Sequence, residues 1–149
     1  MTLLSRSLGV FAVAAATVGL TAAQAAADTY AQLGAVPVVG SPYCTGSAST
    51  EALVAPLQEG DRAEDGVRVA VYFTPDHDVA CAVTMTATWR NLDTGASGSG
   101  DITVASDGTP AAQRHYGFAG YSRADFWTGR GTVVVTVSTQ PDGELVVTV

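Results

Sequence analysis

A few residues of this sequence have the types and spacing to do chemistry. Asp93 opens Asp93-Thr94-Gly95, directly after an alternating stretch that reads as a strand. An aspartate works there as acid or base on a water only when a second carboxylate shares its proton. The chain holds one Asp-Thr-Gly, so two copies would have to bring their Asp93 side chains together. Ser97, in Gly95-Ala96-Ser97-Gly98-Ser99, falls one glycine short of the nucleophile pattern G-x-S-x-G. That pattern also needs a strand-to-helix elbow, whereas the surrounding sequence predicts strand to strand. His77 sits between Asp76 and Asp78, and His115 between Arg114 and Tyr116. Solvated or structural roles suit both histidines, and the Asp76–Asp78 pair lacks the oxygen-rich loop of a calcium site.

The run Leu92-Asp93-Thr94-Gly95-Ala96-Ser97 resembles the active-site sequence of aspartic proteases, hydrophobic-Asp-Thr-Gly-Ala/Ser. That resemblance implies a retropepsin-like homodimer with Asp93 as its catalytic carboxylate. It covers about six residues. Arg90 departs from the usual apolar approach, and no apolar-apolar-Gly strand follows to support the loop. A hairpin turn over residues 91–95 accounts for the same letters, and the turn is the reading adopted.

Aromatic residues form the other candidate. Tyr116, Phe118, Tyr121, Phe126 and Trp127 fall within twelve residues, with Arg123 among them and Arg114 and Arg130 on either side. Aromatic and arginine side chains together are the usual anchors of binding surfaces. Tyr121, Arg123, Phe126, Trp127 and Arg130 are therefore the candidate binding residues. The competing expectation is that Phe118 and Trp127 plug one end of a small core. The sequence gives no catalytic set, no metal site and no cofactor motif.

These side chains need an exported, stapled scaffold. Residues 1–27 begin with a short polar segment carrying Arg6, continue with the uncharged run LGVFAVAAATVGL, and end in small residues with A-x-A sites at Ala25 and Ala27. That is the layout of a secretory signal peptide, and the run is short for a bilayer span. Cys44 and Cys81 allow one pairing and are read as a structural disulfide. Closing 36 intervening residues contributes about 4 kcal/mol in the chain-entropy view. Two lone cysteines without C-x-x-C spacing do not make a zinc site. The formal charge is −7, and cleavage of the leader, whose one charge is Arg6, would make it −8. An acidic chain without a basic run excludes nonspecific nucleic-acid binding and attraction to anionic membranes. All seven basic residues are Arg, which fits a bacterium with a GC-rich genome.

Residues 28–149 read as one all-β domain. Residues 66–73 alternate with Val67, Val69, Val71 and Phe73 on one face, and residues 79–89 alternate likewise through Trp89. With the turn TPDHD between them they predict a hairpin. Residues 131–139 and 144–149 predict a second hairpin closed by Gln140-Pro141-Asp142-Gly143. Residues 52–57, 100–106 and 113–118 are weaker strands, and 28–50, rich in Gly, Pro and Ser, is read as an irregular or edge segment. About six or seven short strands at ten-residue spacing predict an immunoglobulin-like antiparallel β-sandwich with one disulfide. Both cysteines precede Trp89, so the antibody Cys-Trp-Cys order is absent.

The expectation is a secreted, non-catalytic binding module, extracellular or in the cell envelope, whose partner is a protein, a glycan or a small molecule. A protease inhibitor and a small-molecule carrier are the alternatives. In size, acidity and Thr/Val/Gly richness the chain is similar to the chromoprotein antibiotic apoproteins, a likeness of composition without their two-disulfide pattern. A carrier requires an apolar cleft between the sheets.

Overall fold

The computed structural model describes residues 28–41, 43–114 and 118–149. The leader read over residues 1–27 lies outside the described residues, as do His115 and Tyr116. Eight strands follow in chain order: β1 Tyr30–Ser41, β2 Cys44–Glu59, β3 Arg62–Pro75, β4 Ala80–Asn91, β5 Ser97–Asp107, β6 Gly120–Phe126, β7 Thr132–Val137 and β8 Gln140–Thr148. One 3-10 turn, Ala111–Gln113, precedes β6. The strands form two antiparallel four-stranded sheets, in the orders β1-β2-β3-β6 and β5-β4-β7-β8. Among the described residues no helix is long and apolar enough to cross a membrane.

Alternation explains the core. Val67, Val69, Val71 and Phe73 of β3 are fully buried and meet Val83, Met85 and Ala87 of β4, Ile102 and Val104 of β5, and Val133, Val135, Leu145 and Val147 of β7 and β8. Each of these side chains larger than alanine contributes about 1.5–3 kcal/mol by leaving water. The disulfide joins Cys44, at the start of β2, to Cys81, near the start of β4, with Cα atoms 5.6 Å apart. It therefore ties one sheet to the other.

Four expectations require correction. The β3 and β4 stretches do not form a hairpin; they lie in different sheets, and TPDHD carries the chain across the core. Two apolar faces can meet edge to edge in one sheet or face to face between two, and local periodicity is the same for both. The hairpin partner of β3 is β2, joined through Gly60-Asp61, with Gly60 at φ 58°. The second hairpin exists, but Ser138-Thr139 closes it and Pro141 lies within β8. A proline is tolerated there because β8 is an edge strand with one unpaired side. The 28–50 segment is not irregular, although β1 does lie at a sheet edge. It pairs with β2 through a register shift between Leu33 and Val36, and Pro37 sits within it. Residues 113–118 are not a strand over their described part: Gln113 ends the 3-10 turn and β6 starts at Gly120.

Candidate functional site

The Asp93 hairpin is held by side-chain hydrogen bonds into the loop before β7. At the end of β4, Asn91 is fully buried, a position open to a polar residue only when its hydrogen bonds are made. Its Nδ2 donates to the carbonyls of Thr128 (3.0 Å) and Arg130 (2.9 Å). Its Oδ1 accepts from the backbone N–H groups of Asp93 (3.0 Å) and Thr94 (3.1 Å). The Asp93 carboxylate accepts from the N–H of Thr132 at 2.9 Å. Gly95, at φ 76°, donates to the Asn91 carbonyl and closes the turn. Gly131 beside it has φ 125°, a backbone conformation that strains any other residue, and an added Cβ would also crowd the Asp93 carboxylate at 2.6 Å. In this arrangement Asp-Thr-Gly is one half of a latch that fastens the β4–β5 turn to the loop between β6 and β7.

Asp78 is similarly engaged. Its Oδ1 accepts from Arg114 Nη2 at 3.0 Å and from the N–H of Ala111 at 3.2 Å. Arg114 Nε donates to the Thr109 carbonyl. Asp76 and His77 are exposed. Among the described residues no group of three His, Cys, Asp or Glu side chains is placed to hold a metal ion.

The five candidate binding residues separate into three places. Tyr121 and Arg123 lie on β6 and point outward, away from the second sheet. Phe126 points inward, packs against the core and lies over Gly100, where an added Cβ would stand 3.0 Å from its ring. Trp127 is half-buried with the Arg62 guanidinium 4.1 Å above its ring centre. Arg130 is exposed at the rim of an open depression of about 610 Å³, with Pro56, Leu57 and Glu64 across from it. The split follows from strand geometry: odd and even residues of β6 face opposite sides. A cluster in sequence becomes two surfaces and a core contact.

Tyr121 gains neighbours that the sequence reading did not single out. Ser49, Tyr72 and Tyr121 stand in one row across β2, β3 and β6. The Tyr72 ring lies 5.2 Å from that of Tyr121 and 4.9 Å, edge-on, from that of Phe118. Its hydroxyl donates to Glu51 Oε1 at 2.6 Å, and Tyr30 Oη lies 3.0 Å from both Glu51 Oε2 and Gln32 Oε1. The Glu51 carboxylate, with help from burial, pushes the Tyr72 phenol up to about 12. The Tyr30 phenol is raised as well, by partial desolvation and the same carboxylate. Two rows along from Tyr72, Arg68 makes two hydrogen bonds to Asp125, at 2.7 and 2.8 Å, and holds that carboxyl below its usual range. Beside Tyr72 and Glu51 lies a shallow depression of about 350 Å³. The available signal in the sequence was parity: Tyr72 alternates against the buried Val71 and Phe73, and so points out.

No protein-family profile, curated protein or solved structure matches this chain.

Proposed function

We propose that this protein is a secreted, non-catalytic binding module that engages its partner through the outer face of the first sheet. The observation that carries the reading is the outward-facing Tyr72–Tyr121 ring pair, in which Glu51 holds the Tyr72 hydroxyl and Tyr121 packs against the Tyr72 ring. Tyr121 is 47% exposed and Tyr30 50%. Aromatic side chains held in place by neighbours present large contact area with little further loss of freedom on binding. The interior supports the binding module over the carrier: Val71, Phe73, Val135 and Leu145 from the two sheets are fully buried within one cluster. Asp93 spends one carboxylate oxygen on a backbone N–H, a use that suits a latch better than an acid-base pair.

The inter-sheet disulfide suits an oxidising compartment, and with the leader it supports export. The order β2-β3-β6 against β5-β4-β7-β8 corresponds to immunoglobulin strands A-B-E against C′-C-F-G, which supports an immunoglobulin-like sandwich with β1 added at one edge.

The test is co-sedimentation of the purified mature protein with envelope fragments of its own source cells. Binding is expected to fall about tenfold with Tyr121→Ala and to be unchanged by Thr88→Ala on the opposite sheet. Equal loss with both, or with neither, would overturn the reading.

A further inference from the structure

From the chemistry of the depression beside Tyr72, we infer that the ligand of this face is a neutral oligosaccharide; the inference rests on the binding-module reading above. About 350 Å³ falls at the small end of ligand sites and suits a sugar ring or two of a chain lying across the sheet rather than a buried molecule. Its lining pairs two aromatic rings, Tyr72 and Phe118, with hydrogen-bonding side chains, Gln32, Ser47, Ser49 and Glu51. A pyranose has the same division, with C–H faces that lie on aromatic rings and a rim of hydroxyls that needs closely spaced donors and acceptors. An acyl chain would leave most of these polar groups buried without partners, which is unfavourable for each one.

Glu51 is the acceptor around which the site is built. An ionised carboxylate has roughly four lone-pair positions, and the two phenols take at most two of them. The remaining positions suit adjacent hydroxyls of one sugar ring. The phenol donors also fix the carboxylate, so little ordering remains when a ligand arrives.

Charge selects the neutral class. Glu51, Ala70 and Arg123 share one row, and Arg68 and Asp125 are paired in the next. These four charges sum to zero on a chain whose formal charge is −7. A locally neutral face does not attract a polycation, and the acidic whole repels a polyanion.

The test is an amide-shift titration of the folded mature protein with gluco-, manno-, xylo- and galacto-hexasaccharides, with polygalacturonate and an oligolysine peptide as charged controls. At least one neutral hexasaccharide is expected to saturate below about 10 mM, shifting amides of β2, β3 and β6. Glu51→Gln, which keeps the side-chain shape, is expected to weaken that binding about tenfold, and Thr88→Ala to leave it unchanged. The inference is overturned if no neutral saccharide saturates, if a charged control binds more tightly, or if Glu51→Gln has no effect. Retained envelope binding that Tyr121→Ala abolishes, with no saccharide binding, would reject the sugar and leave the binding face standing.

Discussion

The two outward faces of the sandwich obey the same alternation and carry different chemistry. On the second sheet the outward positions of β4 and β5 include Thr84, Thr86, Thr88, Asp101 and Thr103, and hydrogen bonds close two cross-strand pairs: Thr84 with Thr103 at 2.8 Å, Thr86 with Asp101 at 2.7 Å. Such cross-strand pairs stabilise a solvent-facing sheet by about 0.2–1 kcal/mol each. On the first sheet the equivalent positions hold Tyr30, Tyr72 and Tyr121, two charge rows and a carboxylate that ties two phenols together. Strand-forming propensity favours threonine and tyrosine alike. It does not account for a carboxylate shared by two phenols, and that difference is the reason to place function on the first sheet.

Substitutions can break this comparison at several depths. The largest effects belong to what both faces share. Phe73→Ala, beneath the aromatic face, is expected to cost about 3–5 kcal/mol in denaturant unfolding. Asn91→Ala leaves buried carbonyls of the latch unpaired and is expected to cost about 3 kcal/mol, measured the same way. Replacing both Cys44 and Cys81 by Ala should remove about 2–4 kcal/mol.

The next test separates the faces by pH. Because the Tyr72 phenol is raised to about 12, its contribution to stability is fully present below the unfolded value near 10 and is lost as pH rises through 12. Wild type is therefore expected to lose stability between about pH 10 and 12, and Tyr72→Phe to show a shallower loss over that window. Equal slopes would remove the Glu51–Tyr72 bond from the account. The smallest effect is expected on the second sheet, where Thr84→Ala should change stability by under about 1 kcal/mol.

How much of this was legible in the sequence depended on range. Inward and outward sides of β3 and β4 were readable from alternation, because parity is a local property. Sheet membership was not: the β3 and β4 patterns are alike whether paired or stacked, and the sheet assignment follows from β2, whose hairpin through Gly60-Asp61 escaped notice. Pro37 and Pro141 read as breakers because edge status, which permits them, is a tertiary fact. The site behaved likewise. Tyr121 and Arg123 were found as part of an aromatic-arginine cluster, but Glu51 and Tyr30 come from strands far away in sequence and meet Tyr72 only through register. Asn91 carried a weak local signal, an Asx residue opening a turn at the end of a strand.

The central claim, that binding belongs to the first sheet's outer face, is tested most directly by hydroxyl-radical footprinting of the protein free and bound to envelope fragments. Protection is expected at Tyr30, Tyr72 and Tyr121, with the exposed Val146 of β8 unchanged. Protection of Val146 and the threonine face, with the three tyrosines still reactive, would contradict it.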